Sequence, residues 1–202
     1  MKMTVLMLRA MVPSIILAAP ASRGDAPAVA TVTDLRMTRS LMQDWKFAQN
    51  DSLTDEAALK ASGADWQTVN LPHTWNAKDA AGVHVTKPYK RGIGWYRLEF
   101  DTPAAGAGAR HWLEFGAASI VADVWLNGKK LGQHKGAFTT FRFDVTDRLA
   151  SKGKNVLLVK VDNRAPTSKD DPTAIIPLSG DFNMSGGLYR YVSLVTTADP
   201  VH

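Results

Sequence analysis

The fold of this chain is decided by residues 120–132, which read Ile120-Val121-Ala122-Asp123-Val124-Trp125-Leu126-Asn127-Gly128-Lys129-Lys130-Leu131-Gly132. A run of strand-forming residues ends at Leu126, and Asn127-Gly128 follows it directly. The pair Asn-Gly favours a type I′ turn, because both central positions of that turn need positive φ. The chain then leads back out through Lys130. The stretch therefore predicts a β-hairpin.

Other short runs around this hairpin also have the pattern of strands. Tyr96, Leu98 and Phe100 alternate with polar residues, which is the period of a half-buried strand. In residues 155–162 both alternating sets are largely apolar, so burial on both faces is expected. Further strands are predicted at 111–115, 138–143 and 188–195. Short strands separated by turn residues, with few helices, favour an antiparallel β-sandwich.

One short helical piece is expected before these strands. Residues 55–61 have helical composition, and Thr54 precedes them as an N-cap. Residues 71–94 contain two prolines and three glycines and are predicted to be irregular. Long ordered loops of this kind tend to be functional.

The N-terminus has the features of a secretory signal peptide. Lys2 and Arg9 precede and flank an apolar run, and Ala19-Pro20-Ala21 resembles a small-x-small cleavage site. The alternative is a disordered start. We expect residues 1–21 to be the signal peptide, residues 22–39 a flexible lead-in and residues 40–197 the folded domain, with a linker beginning at 198–202. A signal peptide implies a periplasmic or secreted protein.

Composition excludes several classes of function. Removal of residues 1–21 takes away two cations and no acid, so the formal charge falls from +5 to +3. The remaining Lys and Arg are scattered, so no nucleic-acid partner is expected. The apolar run is too short and too interrupted to span a bilayer, and no later segment is long enough, so no membrane partner is expected. There is no cysteine, which excludes a thiol nucleophile and a cysteine zinc site.

Candidate catalytic and metal-binding residues are few. Hydrolysis of a glycosidic bond needs two carboxyl groups ~5 to 9 Å apart, yet the chain has only Glu56, Glu99 and Glu114 as glutamates. All three are expected to be solvated side chains. The histidines, among them His73 and His84, lack metal-ligand spacing and are expected to be structural or solvated. No catalytic residue, metal or cofactor is therefore predicted for this chain.

The best candidate for a binding role is Asp181, in the loop Pro177-Leu178-Ser179-Gly180-Asp181-Phe182-Asn183-Met184-Ser185-Gly186-Gly187. A carboxylate accepts strong hydrogen bonds from sugar hydroxyls, and the neighbouring glycines allow the backbone to approach a ligand. The alternative is a loop aspartate that caps its own turn. Asn183 is a second, weaker candidate. Trp75, Trp95 and Trp125 either stack on sugar faces or belong to the core.

A series of motifs resembles a known family when read in order. They are Leu71-Pro72-His73-Thr74-Trp75-Asn76, Lys90-Arg91-Gly92-Ile93-Gly94-Trp95-Tyr96-Arg97, Ala122-Asp123-Val124-Trp125-Leu126-Asn127-Gly128-Lys129, Gly132-Gln133-His134-Lys135-Gly136-Ala137-Phe138, Phe143-Asp144-Val145-Thr146, Val161-Asp162-Asn163 and Gly180-Asp181-Phe182-Asn183-Met184-Ser185-Gly186-Gly187-Leu188-Tyr189-Arg190. Over residues 40–197 the chain resembles the N-terminal sugar-binding domain of glycoside hydrolase family 2, which includes β-galactosidases, β-glucuronidases and β-mannosidases.

This resemblance implies a jelly-roll β-sandwich. In full-length members an immunoglobulin-like domain and a (β/α)8 barrel follow, and the barrel supplies both catalytic glutamates. In the β-galactosidase-like members, an aspartate of the loop that matches Asp181 binds sugar hydroxyls in the barrel's pocket. The resemblance therefore favours Asp181 as a contact to a β-glycoside substrate.

Three hypotheses about function are compatible with the length of the chain. Because the sequence ends where the family's linker begins, the barrel is expected to be missing and the chain alone to be inactive. The first hypothesis is the N-terminal domain of an exported β-galactosidase-type hydrolase, with the missing domains as its partners. The alternative is a stand-alone carbohydrate-binding module. The third is a purely structural sandwich.

Overall fold

The computed structural model describes residues 36–80, 90–104, 108–175 and 185–198. These residues form ten strands: β1 (Arg36–Ser40), β2 (Trp45–Gln49), β3 (Gln67–Val69), β4 (Ile93–Asp101), β5 (Arg110–Phe115), β6 (Val121–Leu126), β7 (Lys129–Lys135), β8 (Phe141–Asp144), β9 (Lys154–Asp162) and β10 (Val192–Thr197). Helix α1 (Asp55–Lys60) follows β2, and 3₁₀ turns occur at Ala77–Ala80 and Thr146–Arg148.

The strands form two sheets in which every named pair is antiparallel. The four-stranded sheet has the order β1-β10-β5-β8, and the six-stranded sheet has the order β3-β2-β4-β9-β6-β7. Strands β4 and β9 pair over their full length, from Ile93 opposite Asp162 to Asp101 opposite Lys154. This long pair forms the centre of the larger sheet.

The two sheets pack face to face around one apolar core. Tyr96, Leu98 and Phe100 of β4 all face this core, as their alternation predicts. The opposing sheet contributes Leu113 and Phe115 of β5. Burial of these faces is the main source of stability of a sandwich. The architecture confirms the expected all-β jelly-roll sandwich.

A second apolar layer covers the outer face of the six-stranded sheet. Here Trp95, Trp125 and Leu158 pack against Ala58 of helix α1. Strand β9 therefore has buried residues on both faces, as predicted. The helix begins after Thr54, whose side-chain oxygen accepts the N–H of Ala57 at 3.2 Å, which confirms the predicted N-cap.

The Asn127-Gly128 hairpin is present as predicted. Asn127 has φ 52° and Gly128 has φ 78°, so both central residues are in the left-handed region that a type I′ turn requires. Leu126 and Lys129 pair directly across the turn. The hairpin joins β6 to the edge strand β7.

Several boundaries differ from those expected from the sequence. Strand β1 lies largely inside the segment 22–39, for which a flexible lead-in is expected; all five of its residues are exposed, so its sequence has no apolar alternation to reveal it. It is held by backbone pairing to β10. Strand β8 begins at Phe141 and not at residue 138, and β10 begins at Val192 and not at residue 188.

The expected signal peptide, the rest of the lead-in before residue 36 and the expected linker beyond residue 198 lie outside the described residues. Within the described part of the chain, no helix combines the length and the apolar character that crossing a membrane requires.

Candidate functional site

The two predicted substrate contacts, Asp181 and Asn183, lie outside the described residues, as does His84. The structure describes the chain again from Ser185, two residues after Asn183. The contacts described below are therefore those of the residues that follow Asp181 and Asn183, from Ser185 onward.

A short segment before strand β4 holds the end of this loop. The N–H of His73 donates to the Leu188 carbonyl at 2.9 Å, and the N–H of Trp75 donates to the Gly186 carbonyl at 3.2 Å. The Asn76 side-chain oxygen accepts the N–H of Gly186 at 2.9 Å. Asn76 is only 1 % exposed, so this bond is shielded from water. We call this set of residues, together with Gly187, the glycine clamp.

The indole of Trp75 occupies the space that side chains at two glycines would need. A Cβ at Gly94 of β4 would lie 2.4 Å from the ring, and one at Gly186 would lie 2.3 Å from it. The ring also stacks on Phe47 with centroids 6.0 Å apart. Trp75 is therefore a packing element that joins β4 to the end of the loop, which supports the core alternative over sugar stacking.

Trp95 and Trp125 likewise belong to the packing. Their ring centroids lie 6.2 Å apart in the outer apolar layer, and the residues are 0 % and 4 % exposed. The ammonium groups of Lys160 and Lys130 lie 5.3 and 5.2 Å from the Trp95 and Trp125 ring centroids. Neither indole presents an open face to a ligand.

His73 and Tyr96 form a hydrogen-bonded pair inside the clamp. Tyr96 Oη lies 2.8 Å from His73 Nδ1. Burial raises the pKa of Tyr96, an effect that a hydrogen bond with the Leu188 backbone partly opposes, and burial lowers the pKa of His73. Both groups are therefore neutral near pH 7, and they share one hydrogen bond whose donor is set by the tautomer of His73. His73 is a structural histidine, one of the two expected alternatives.

A cleft of about 550 Å³ opens beside the clamp and falls within the usual size range of small-molecule sites. Of the residues that the structure describes, ten line it: Phe47, Gln49, Gln67, His73, Thr74, Trp75, Ala77, Lys78, Asp79 and Lys90. Among the residues described, the side chains of Gln49, Gln67, Lys78 and Lys90 have no hydrogen-bond or ion-pair partner. The cleft thus has an aromatic floor and a polar rim with unused donors.

The backbone of Lys90 is fixed at the edge of this cleft. Its N–H donates to the Asp79 carboxylate at 2.7 Å. Its carbonyl accepts the Trp75 indole N–H at 3.2 Å and the Asn76 amide at 3.4 Å. Three side chains therefore hold the two backbone polar groups of Lys90, while its own side chain stays exposed.

The glutamates differ from the expectation in one case. Glu56 and Glu99 are exposed, as expected. Glu114 is 6 % exposed, so the expectation of a solvated side chain was wrong for it. Its carboxylate contacts Arg36, Arg142 and the Tyr191 hydroxyl. These partners compensate the desolvation of the carboxylate, so Glu114 is a structural residue on the four-stranded sheet.

Neither the cleft nor the clamp can be identified from the sequence. The motifs that contain Trp75, Lys90 and Gly186 indicate the family when read in order, but they do not show which of these residues touch each other. Their contacts join positions far apart in the chain: Asn76 and Gly186 are 110 residues apart. No local pattern reports such a contact. In the described residues there is also no cluster of three His, Cys, Asp or Glu side chains suited to a metal ion.

Comparisons with known proteins place this architecture in context. A β-glucuronidase of Bacteroides fragilis is 40 % identical over 133 residues, which cover 66 % of this chain and 18 % of that protein. A β-galactosidase of Bacteroides ovatus is 30 % identical over 169 residues, covering 79 % of this chain and 18 % of the relative. The chain thus spans about a fifth of the length of these relatives.

A solved structure is also similar to this chain. The crystal structure of a β-glucuronidase from Bacteroides uniformis superposes with a TM-score of 0.68 at 34 % identity, covering 81 % of this chain and 18 % of that one. The family model described as "Glycosyl hydrolases family 2, sugar binding domain" matches residues 38–198. Because the match extends over most of the chain and the fold agrees, this chain belongs to the glycosyl hydrolases family 2 as its sugar binding domain.

Proposed function

We propose that the chain acts as the N-terminal domain of a β-glycoside hydrolase and contributes Asp181 to substrate binding. The observation that carries this proposal is the glycine clamp. It fixes Gly186 and Leu188, which follow Asp181 by five and seven residues, through buried hydrogen bonds. A fixed loop end limits the positions available to a side chain a few residues away and so reduces the entropic cost of a substrate contact. Asn183 is proposed as a second contact.

The proposed substrate of the whole enzyme is a β-galactoside or a β-glucuronide. Relatives of both names match this chain at 30 to 40 % identity. The proposed partners are the immunoglobulin-like and barrel domains of the parent enzyme, which would supply the two catalytic carboxylates. The chain alone is proposed to be inactive.

The test of the role of Asp181 uses the intact parent enzyme and nitrophenyl β-galactoside and β-glucuronide. Asp181→Ala removes a charge-assisted hydrogen bond, so kcat/KM for the preferred substrate should fall about 10- to 100-fold. Asp170→Ala is the matched control, because Asp170 is an exposed loop aspartate without a hydrogen-bond or ion-pair partner among the residues described. An unchanged kcat/KM in Asp181→Ala would refute the proposed contact.

The isolated chain provides a separate test. We expect no release of nitrophenol from either substrate by the purified 202-residue chain. Turnover that persists through a second purification step would show that the chain itself contains a catalytic pair and would overturn this part of the proposal.

A second candidate function is a carbohydrate-binding module that works without a barrel. The cleft favours it, because four donor side chains that have no partner among the described residues line one opening. Sugar binding by the isolated chain distinguishes this candidate from a purely structural sandwich.

We also propose that the protein is exported. The support is the sequence of residues 1–21, with its early cations and apolar run before Ala19-Pro20-Ala21. N-terminal sequencing of the protein from its native source should begin at or near Ser22. A mature protein that still begins at residue 1 would contradict export by this signal.

A further inference from the structure

The described lining of the cleft beside the glycine clamp has more cationic than anionic side chains. Its lining contains two ammonium groups, of Lys78 and Lys90, and one carboxylate, of Asp79. One oxygen of the Asp79 carboxylate accepts the backbone N–H of Lys90. In the described part of the chain, no carboxylate lies within ion-pair distance of either ammonium group. The rim therefore has an excess of positive charge.

One of these cations is presented by a fixed backbone. The N–H and the carbonyl of Lys90 are held by Asp79, Trp75 and Asn76 at 2.7 to 3.4 Å. A fixed backbone limits the region that the ammonium group explores, which lowers the entropic cost of binding an anion. Packing in the sandwich core does not need the side chain of Lys90, since that side chain is exposed.

The remaining donors suit the hydroxyl groups of a sugar ring. Gln49 lies at the end of β2 and Gln67 at the start of β3, and both amides line the cleft without a hydrogen-bond partner in the described residues. A primary amide both donates and accepts, as does a sugar hydroxyl. The cleft volume of about 550 Å³ leaves room for a small saccharide.

We propose that this cleft binds an acidic sugar, a hexuronate, with its carboxylate on Lys78 and Lys90 and its hydroxyls on Gln49 and Gln67. The inference rests on the proposed role of the domain in carbohydrate recognition and names the ligand class of the cleft. A carboxylate on two ammonium groups forms charge-assisted hydrogen bonds, which a neutral sugar cannot replace. The site therefore discriminates between a uronate and its neutral counterpart.

The test follows the ¹⁵N-labelled chain by NMR while methyl β-D-glucuronide or methyl β-D-galactoside is added at constant ionic strength. The indole N–H of Trp75 is a local reporter, because it donates to the carbonyl of Lys90. The glucuronide should shift this indole signal with a millimolar Kd, and the galactoside should shift it at least tenfold more weakly. Lys78→Ala and Lys90→Ala should each raise the Kd for the glucuronide about tenfold.

Lys129→Ala is the matched control, because Lys129 is exposed in the β6–β7 hairpin and does not line the cleft. Its Kd should equal that of the unmodified chain. Unchanged NMR dispersion in all three variants would show that the lysine substitutions act on binding and not on folding.

Several outcomes would overturn the proposal. Equal binding of the two glycosides would show that the carboxylate is not recognised. Identical shifts with sodium acetate would identify an adventitious ion only. No shift at about 50 mM glycoside, where a millimolar site is filled, would show that the cleft does not bind the sugar. The lysine variants are tested by sugar binding to the isolated chain, whereas Asp181 is tested by turnover of the parent enzyme, so failure of one proposal can be told from failure of the other.

Discussion

At the scale of single residues, the clamp shows how a long-range contact constrains residue choice. Gly186 and Gly187 lack side chains because Trp75 and Tyr96 lie where Cβ atoms would be: a Cβ at Gly187 would lie 2.4 Å from Tyr96 Oη and 2.8 Å from the His73 carbonyl oxygen. Gly187 also has φ 120°, which a residue with a side chain rarely adopts. Two independent physical constraints therefore act on one position.

Substitution at Gly187 separates these two constraints. Gly187→Ala should lower the free energy of unfolding by about 3 kcal/mol, since overpacking adds to backbone strain. Gly128→Ala is the control, because Gly128 has φ 78° and a Cβ added there would meet no atom within 4 Å. This variant should lower the free energy of unfolding by about 1 kcal/mol. The measurement is equilibrium urea unfolding. Equal losses in the two variants would show that the space around Gly187 adapts and that the clamp is not tight.

Asn76 tests the hydrogen-bonding side of the clamp. Asn76→Ala leaves the N–H of Gly186 buried without its amide partner, so the free energy of unfolding should fall by about 2 to 3 kcal/mol. Asn50→Ala is the control, since the Asn50 oxygen accepts an exposed N–H from Ser52 that water can satisfy; its effect should be within about 0.5 kcal/mol. A loss in Asn76→Ala no larger than in this control would contradict a structural role for the buried amide.

At the scale of elements, a strand, helix or turn was predicted where its own residues show a recognisable local pattern. The Asn127-Gly128 turn, the Thr54 cap and the doubly buried strand β9 each show their structure in local residue choice, and all were predicted. Strand β1 has five exposed residues and no apolar alternation, so it was missed. It is held by backbone pairing with β10 and by the side chains of Arg36 and Arg39. Strand β3 has three residues, too few for a period to appear.

Helix α1 depends on its cap because it has only six residues. Thr54→Ala removes the oxygen that accepts the Ala57 N–H and should cost about 1 kcal/mol in the free energy of unfolding. Thr54→Ser keeps a cap oxygen and should stay within a few tenths of a kcal/mol of the unmodified chain. Urea unfolding monitored by tryptophan fluorescence measures both, because α1 covers Trp95 and Trp125. Equal losses in the two variants would rule out the hydroxyl as the stabilising group.

Strand β1 provides a test of the domain boundary. A chain that begins at Leu41 lacks all five residue pairs between β1 and β10 and exposes the edge of β10. Compared with a chain that begins at Arg36, it should lose on the order of 2 kcal/mol in the free energy of unfolding and associate more at high concentration. Unfolding and sedimentation velocity measure these effects. Identical behaviour would restore residue 40 as the start of the folded domain.

At the scale of the whole molecule, the sequence predicted the sandwich fold but did not predict the cleft. The order of short motifs indicated the family and the two-sheet architecture, and both were confirmed. The role of Asp181 stays a prediction. The cleft escaped prediction because its lining combines residues of β2 and β3, residues 73–79 and Lys90. Only the fold brings Gln67 and Lys90 to the same cleft, where neither side chain has a partner among the described residues.

Three partly buried histidines link the stability of the whole domain to pH. Burial lowers the pKa of His73, His111 and His134 below their ordinary value. For His111 the nearby Asp144 carboxylate partly opposes this effect, and for His134 a hydrogen bond with the Gly136 backbone does so. The folded domain therefore binds fewer protons than the unfolded chain in the range below the ordinary histidine pKa of about 6.5.

The sign of the pH dependence follows from this difference. Stability linked to these histidines is fully present above pH ~6.5, where both states are unprotonated, and falls as pH decreases towards the lowered pKa values of the folded state. The urea midpoint should therefore be lower at pH 5.5 than at pH 7.5. His111→Gln removes one titrating group beside Thr196, so its midpoint should change less over this interval, whereas Lys129→Ala should keep the full change. A midpoint that rises on acidification would show that the folded domain binds more protons than the unfolded chain, and would contradict the lowered pKa values of these imidazoles.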